Sequence, residues 1–444
     1  MTTENYANHI ATLTRGYSDA LRFIDSEQSD FGAVLVHSGE AQHYYGDDRG
    51  VAFQAFGHLL HWIPVNRPNQ FVFYRPGDKP IYFQLVPSDF WYEQEIHLEP
   101  AWEEQFTVVR LSTLEELASV LEQHSLADVA YIGEGGGVAA ALGFSETSIN
   151  PRSLVSYLDY SRAFKSDYEL DQLRSANRLA LLGHAAAKAC FLEGGTEYEI
   201  HMAFLQATQH LEDESPYTNI VALNEKAAIL HYQFKRKSNQ DKGRVLLIDA
   251  GCRVRAYGSD VTRTSCSDEA HPTFKSLVAA MEQLELALVA EVEPGKTYQS
   301  LHASTLERLG GILIDHDICN ASVEELLELG IPQLFMPHGV GHLLGIQVHD
   351  VGGHQIDKSG TLLAPPQDSP ALRNTRVMVP DMVFTVEPGL YFIPLLLEAE
   401  RDSARGKKLN WKQIDELYPC GGIRIEDNIR VTNDVAENLT RQFE

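Results

Sequence analysis

Two neighbouring segments decide the fold of this chain: VLLIDAG at residues 245–251 and YGSDVTRT at residues 257–264. The first is an apolar run that ends in an aspartate, and the second carries another aspartate. We interpret the pair as a β-hairpin folded about Val254 and Arg255. Facing strands of such a hairpin would hold Asp249 and Asp260 close enough to bind ions between them.

Two further segments carry potential ligands and are expected on separate strands. HGVGH at residues 338–342 places His338 and His342 among glycines, which let the backbone approach closely. TVEPG at residues 385–389 places Glu387 on a strand that a Pro-Gly turn cuts off. Taken alone, a histidine in an apolar segment is more often a hydrogen-bonded core residue, and Glu-Pro-Gly is more often only a turn.

The segment GGIRIED at residues 421–427 completes the set, because strand alternation directs Arg424 and Glu426 to the same face. Carboxylates gathered in a strand-rich core repel one another and take up protons unless cations neutralise them. A metal is the simplest source of that charge. The predicted metal ligands are Asp249, Asp260, His342, Glu387 and Glu426.

Four carboxylates and one imidazole suit hard or borderline divalent ions. Manganese matches these ligands best, cobalt or zinc could also occupy the site, and iron remains a further alternative. Two ions roughly 3.5 to 4 Å apart would lower the pKa of a bridging water and hold a hydroxide ready to attack a carbonyl. The ligand set therefore predicts metal-assisted hydrolysis.

Composition excludes several classes of function. The 62 acidic and 36 basic residues give a net charge of −26, which argues against nucleic acid and anionic membranes as partners. The first residues lack a signal-peptide pattern, and no apolar run is long enough to span a membrane. The five cysteines are an odd number without CxxC spacing, so we expect reduced thiols and a cytoplasmic protein.

Helix signals divide the 444 residues into two expected domains, 1–160 and 161–444. After Asn150-Pro151, capping-box spacing at residues 166–169 opens a long helical pattern that ends before Gly194-Gly195. The same spacing recurs at residues 196–199. The chain is therefore predicted to be mixed α/β (α+β).

The first domain mixes strand-like runs with helical stretches and is predicted to be α/β. Residues 33–36 and 71–74 have strand character, and residues 114–121 have helical character. The glycine-rich stretch at residues 133–138 departs from a dinucleotide loop at Val138, and its sequence shows no clear phosphate-binding context at the start of a helix. No nucleotide site is predicted.

The order Asp, Asp, His, Glu, Glu within these segments resembles the pita-bread metallopeptidases, and most closely the bacterial Xaa-Pro dipeptidases, or prolidases, including the organophosphorus acid anhydrolases. The likeness is dense from about Lys165 onward. It is thinner in the first domain, at HWIPV (residues 61–65) and SDFW (residues 88–91). It implies a creatinase-like α/β domain for dimerisation and as an active-site lid, followed by a pita-bread catalytic domain.

The resemblance also implies roles for the ligands. Asp249 would chelate one ion, His342 and Glu387 the other, and Asp260 and Glu426 would bridge both. Glu387 would also accept the proton of the attacking water and pass it to the leaving nitrogen. The same resemblance implies catalytic roles for two more residues, His349 and Arg424. His349 would act at the scissile carbonyl. Arg424 would act on the substrate or, as an equal alternative, only neutralise the buried carboxylates.

Substrate residues follow from the same resemblance. His231 and Arg373 would hold the free carboxylate of a dipeptide, because a guanidinium grips a carboxylate with two hydrogen bonds. His338 and Tyr217 would line the pocket. Trp91 would reach the active site of the neighbouring subunit in a homodimer, or else only pack at the interface.

Three functions compete. The first is a dipeptidase that cleaves Xaa-Pro dipeptides at the imide bond, with a possible side activity on organophosphate triesters. The second is an Xaa-Pro aminopeptidase that acts on longer peptides. The third is a binding module without catalysis, which the intact ligand set disfavours. Residues 49–54 read RGVAFQ where relatives carry a stretch like Pro-Tyr-Pro-Phe, so the preference for the residue before proline can differ.

Overall fold

A computed structural model describes residues 3–25, 31–238 and 242–444. The chain divides into two compact units. The first consists of Met1–Arg162, Ser166–Asp171 and Asp357–Thr361; the second consists of Ala163–Lys165, Gln172–Ile356 and Leu362–Glu444. Each unit combines helices with β-structure, so the mixed fold class is confirmed.

The first unit is built on a five-stranded sheet in the order β4-β3-β2-β1-β5. β1 runs antiparallel to β2 and parallel to β5, and β3 runs antiparallel to β2 and parallel to β4. The central strands are buried throughout, as in a sheet that is covered on both faces. The strands are β1 Ala33–His37, β2 Phe71–Tyr74, β3 Ile81–Leu85, β4 Thr107–Leu111 and β5 Val129–Ile132.

Among the described residues of this unit, six helices accompany the sheet: α1 Thr3–Asp25, α2 Gly57–Trp62, α3 Pro100–Glu103, α4 Leu114–Leu121, α5 Gly136–Ala141 and α6 Arg152–Arg162. The predicted strands at residues 33–36 and 71–74 and the helix at 114–121 are confirmed. A helix that was not predicted, α5, begins within the glycine-rich stretch. Gly135 takes a positive φ of 76°, which lets the chain turn into a helix of six residues.

The second unit contains three small sheets around the segments that carry the candidate ligands, and β8 pairs with β9 apart from them. The sheets have the strand orders β10-β7-β6, β11-β14-β15 and β12-β13. The strands are β6 Ile220–Leu223, β7 Val245–Asp249, β8 Arg253–Val254, β9 Tyr257–Gly258, β10 Thr262–Cys266, β11 Val383–Val386, β12 Gly389–Tyr391, β13 Gly422–Arg424, β14 Asp427–Arg430 and β15 Glu437–Asn438.

The helices that follow α6 begin with α7 Asp167–Leu192 and α8 Glu197–Thr208. They continue with α9 Pro272–Ala290, α10 Tyr298–Asp315, α11 Val323–Glu328, α12 Pro332–Phe335, α13 Pro394–Leu397 and α14 Trp411–Leu417. Within the described ranges, no helix has both the length and the apolar character that a membrane crossing requires. All five cysteines are free thiols.

The predicted hairpin is present. β7 and β10 pair antiparallel, with Asp249 opposite Thr262. The predicted turn was one residue early, because Arg255 and Ala256, rather than Val254 and Arg255, take the positive φ values of 46° and 77°. Neither is the glycine or asparagine that marks such a position in a sequence.

Both predicted capping boxes form. The backbone N–H of Ser166 donates to Glu169 Oε2 at 2.8 Å, and the N–H of Glu169 donates to Ser166 Oγ at 3.5 Å. Thr196 and Glu199 make the same reciprocal pair at the start of α8. These bonds satisfy N–H groups that a helix cannot pair internally, and they set where α7 and α8 begin.

α7 and α8 pack on one face of β7. Leu246 and Ile248 join the cluster formed with these helices, whereas Leu247 faces a second cluster that contains Tyr232 and Tyr391. Because strand side chains alternate, Asp249 is directed to the same side as Leu247. The helix pair therefore turns the aspartate away from itself and towards the other candidate ligands.

Close contact between α7 and α8 depends on Gly183. A Cβ at this position would lie 2.5 Å from Phe204 Cδ2 and 2.7 Å from Thr208 Cγ2. We predict that Gly183→Ala lowers the melting temperature, because the overlap costs about 1–3 kcal/mol. Gly311→Ala is the matched control, since a Cβ there meets nothing within 4 Å, and a helical alanine gains about 1 kcal/mol. Thermal unfolding that ranks the two variants in the opposite order would contradict this packing.

Candidate metal centre

The five candidate ligands come together although they lie on different elements. Asp249 ends β7, and Asp260 lies two residues before β10. Glu387 directly follows β11, and Glu426 lies between β13 and β14, where it bridges to Thr262. We had expected His342, Glu387 and Glu426 to lie within separate strands, and that expectation was wrong. The four carboxylate ligands lie at or near the ends of strands.

His342 lies in an irregular segment outside any strand. Gly341 precedes it with a φ of 149°, and a Cβ at Gly341 would collide with the backbone of Thr385 and the hydroxyl of Tyr298. The next residue, Leu343, bridges to Phe384 of β11. Close approach at a glycine thus brings the imidazole beside β11, as the glycine-rich sequence indicated.

The ligand atoms form a compact buried group. One ligand atom from each of Asp260, His342 and Glu426 lies within 4.8 Å of the other two. His342 Nε2 is 3.3 Å from Asp260 Oδ2 and 3.5 Å from Glu387 Oε1. His342 Nδ1 lies 3.0 Å from the carbonyl of Leu343. A proton on Nδ1 would donate to that carbonyl and leave Nε2 as the metal-binding atom.

Arg424 is a buried cation in direct contact with this group. Its Nη2 donates to Asp249 Oδ2 at 2.6 Å, its Nη1 donates to Tyr391 Oη at 2.9 Å, and its Nε donates to Thr262 Oγ1 at 3.1 Å. The Thr262 hydroxyl in turn donates to Glu426 Oε2 at 2.6 Å. Arg424 and Glu426 therefore share one hydroxyl, in agreement with their predicted common face.

The raised pKa values of three carboxyl groups reflect an excess of negative charge. Burial and the neighbouring Asp260 raise the pKa of Glu426 well above its usual value. Burial raises the pKa of Glu387 to about 7, although His342 opposes the shift. Burial also raises the pKa of Asp249 against the opposing charge of Arg424. One arginine and one histidine do not balance four buried carboxylates.

The donor set fits divalent cations. Oδ1 of Asp260 is buried without a hydrogen-bond partner among the described residues, which is costly unless a cation or water contacts it. Burial opposes ionisation of Asp260, yet the contact with His342 lowers its pKa overall, so it offers a charged oxygen. Oxygen donors with one imidazole are the set expected for manganese, cobalt or zinc.

Hydroxyl groups orient the ligands. Tyr217 Oη donates to Asp249 Oδ1 at 2.7 Å. Thr385 Oγ1 lies 3.4 Å from Glu387 Oε1 and accepts the backbone N–H of His342 at 3.1 Å. Thr262, Thr385 and Tyr391 were not singled out from the sequence. Strand alternation could have found Thr385, because it precedes Glu387 by two residues.

A cavity of about 280 Å³ opens over the ligands. The structure brings four of the predicted substrate and catalytic residues to its wall, together with Arg424: His231, His338, His349 and Arg373. Tyr217 is not part of the cavity wall, but it contacts the site by its hydrogen bond to Asp249. Trp91 does not line this cavity; it belongs to the first unit, where 76% of it is exposed.

Two histidines of the wall, His338 and His349, have lowered pKa values. Burial and the nearby Arg424 lower the pKa of His338 to about 3, and burial together with His342 lowers the pKa of His349 to about 4. The His349 ring meets the His342 ring edge-on with 4.3 Å between centroids. A neutral imidazole can donate a hydrogen bond to substrate. Because it carries no charge, it is not repelled by Arg424 or by bound cations.

A second group with possible metal-binding atoms lies in the first unit and consists of His9, His61 and Glu169. Its atoms already have partners: His9 Nε2 contacts the carbonyl of His61 at 2.8 Å, and Glu169 Oε2 accepts from Ser166 as part of the capping box. We interpret this group as a structural hydrogen-bond cluster at the start of α7.

Models of known protein families match both the N-terminal and the C-terminal part of the chain. A family model described as "Metallopeptidase family M24" matches residues 171–433, and one described as "Xaa-Pro dipeptidase, N-terminal domain" matches residues 4–160. A protein of Shewanella baltica named Xaa-Pro dipeptidase is 40% identical over 440 residues, which cover 99% of this chain and 98% of that protein. One of Shewanella oneidensis with the same name is 40% identical over 439 residues, with the same coverage.

Solved structures of Escherichia coli aminopeptidase P have similar folds. The complex with the inhibitor Pro-Leu has a TM-score of 0.74 at 22% sequence identity and covers 100% of this chain and 96% of that one. A zinc-substituted form in complex with product has a TM-score of 0.71 at the same identity and coverage. At this level of identity the likeness establishes the fold alone.

Proposed function

The chain belongs to metallopeptidase family M24, and on that premise we propose that it hydrolyses Xaa-Pro dipeptides at the imide bond before a C-terminal proline. The observation that carries the proposal is one cavity that combines the five candidate ligands with His231 and Arg373 on its wall. The relatives at 40% identity that are named Xaa-Pro dipeptidase support the same substrate class.

The metal site follows from the residues on the cavity floor. Asp249, Asp260, His342, Glu387 and Glu426 would hold two divalent ions, with Asp260 and Glu426 shared between them. Manganese is our first choice among the ions that suit these donors, with cobalt or zinc as alternatives. Two such ions supply Lewis acidity, which polarises a carbonyl and makes a bound water a better nucleophile.

Arg373 and His231 on the cavity wall would bind the carboxyl end of the substrate. Arg373 offers two parallel N–H donors to the free carboxylate of proline, and His231 adds a third donor. A carboxylate held in this way limits the substrate to one residue after the scissile bond. Longer peptides would place an uncharged peptide group against Arg373 and leave its charge unpaired, which disfavours them.

Proton transfer is assigned to Glu387 and carbonyl activation to His349. Water adds to the carbonyl carbon, and Glu387 accepts the proton that this water loses. The C–N bond then breaks, and Glu387 passes the proton to the proline nitrogen, which carries no hydrogen in the imide. His349 would donate its N–H to the developing oxyanion.

We further infer a cytoplasmic homodimer whose first unit serves in dimerisation and as a lid. The five free thiols agree with a reducing compartment. Phe90, Trp91 and Tyr92 are all largely exposed in the first unit, and a partner subunit would cover such an aromatic surface. In that dimer Trp91 would contact the partner's substrate.

The peptide specificity can be tested on purified protein after chelation, with and without added manganese. We predict that manganese restores cleavage of Ala-Pro and Leu-Pro, because the ions complete the site, and that Ala-Pro-Ala stays intact, because Arg373 requires a carboxylate. Comparable cleavage of the tripeptide would instead make the protein an aminopeptidase. If none of the three peptides is cleaved, the protein would be a binding module without catalysis.

The role of Glu387 can be tested by Glu387→Gln. The amide cannot accept the proton, so we predict that kcat for Ala-Pro falls at least about 100-fold while two metal equivalents stay bound. Glu285→Gln is the matched control, because Glu285 is a buried glutamate of α9 that does not line the cavity, and burial raises its pKa to about 9. Near-normal turnover of Glu387→Gln with both ions bound would refute the assignment.

A further inference from the structure

A buried carboxylate away from the metal centre has no part in the chemistry described so far. Glu197 is the first residue of α8, and only 2% of it is exposed. Its Oε2 accepts the Tyr232 hydroxyl at 2.9 Å and the backbone N–H of Arg236 at 3.0 Å, and its Oε1 accepts the N–H of Leu223 at 3.4 Å. These donors satisfy a charge that would otherwise be costly to bury.

The same helix end makes a second bond to this segment. The N–H of Tyr198 lies in the first turn of α8, where it has no partner within the helix, and it donates to the carbonyl of Arg236 at 3.1 Å. The side chain of Glu197 therefore holds the N–H of Arg236, and the backbone of Tyr198 holds its carbonyl. The start of α8 is a fixed anchor for the segment of residues 229–236.

The anchored segment forms part of the cavity wall. Tyr232 is 4% exposed, and its ring packs in the cluster that contains Leu247 of β7 and Tyr391. The preceding residue, His231, is exposed and lines the cavity. The side chain of Tyr232 thus lies in the core, whereas that of His231 lies at the cavity. Because the two residues are adjacent in the chain, an interaction that holds Tyr232 also restrains His231.

We propose that Glu197 and Tyr232 are positioning residues for substrate binding, and that the bond between them holds His231 where it meets the carboxylate of the dipeptide. This inference rests on the proposed function, because it takes His231 as a carboxylate-binding residue. A binding group that is held in place by its surroundings loses less freedom when substrate arrives. Without the anchor, only a fraction of molecules presents His231 correctly, and the apparent affinity falls by that fraction.

The direct test is Tyr232→Phe, which removes the hydroxyl and keeps the ring in its cluster. We predict that KM for Ala-Pro rises about tenfold while kcat stays within about twofold and two manganese ions remain bound, as expected when only ground-state binding is lost. Glu197→Gln keeps one acceptor oxygen and should raise KM less. This second variant also keeps the test usable if Tyr232→Phe does not fold.

Tyr418→Phe is the matched control. The Tyr418 hydroxyl donates to Glu398 Oε1 at 2.7 Å, so the chain offers a second tyrosine–glutamate bond away from the cavity wall. Its loss should leave KM unchanged. Because the Tyr418–Glu398 bond is exposed and the Tyr232–Glu197 bond is buried, the melting temperatures of both variants are compared as well. Loss of positioning would raise KM for Tyr232→Phe alone.

A double-mutant cycle with His231→Ala shows whether Tyr232 acts through His231. We predict that Tyr232→Phe adds little to the KM of a His231→Ala variant. An unchanged KM in Tyr232→Phe, or a full tenfold effect in the His231→Ala background, would overturn this inference while the wild type still cleaves Ala-Pro. A wild type that cleaves no dipeptide would overturn the proposed function and this inference with it.

Discussion

The structure of the second unit depends on one electrostatic constraint, the burial of four carboxylates beside a single arginine. Asp249, Asp260, Glu387 and Glu426 would repel one another in a medium of low polarity, and burial raises the pKa of Asp249, Glu387 and Glu426. Arg424 balances only one of them. The group is tolerable in its ionised form when divalent cations lie between the oxygens, so the site is built for metal before any substrate is considered.

The fold meets this constraint by ending strands at one place. Side-chain alternation in β7 gives one face to the α7–α8 pair and directs Asp249 to the other. Gly341 lets the segment of His342 approach β11, and the hydroxyls of Thr262 and Thr385 take up hydrogen-bonding capacity that the ligands leave unused. The same helix pair supplies Glu197, so one packing unit supports both the metal-binding strand and the wall that carries His231.

Local patterns in the sequence predict much of this arrangement. The hairpin, both capping boxes and the first-domain elements follow from periodicity and cap chemistry, which act over a few residues. The errors have local causes too. The turn centre was misplaced because Arg255 and Ala256 adopt positive φ without glycine, and α5 was missed because its glycines are weak helix formers. The bond between Glu197 and Tyr232 joins residues 35 positions apart, and no local pattern predicts it.

The candidate ligands were predicted by type and order, and the structure brings them together, but their division between two ions stays a prediction. The most direct test is anomalous scattering from crystals of the manganese-loaded protein. The account predicts two peaks of comparable height among Asp249, Asp260, His342, Glu387 and Glu426. A single peak there, or peaks only at other residues, would contradict a dinuclear centre and the hydrolytic chemistry that rests on it.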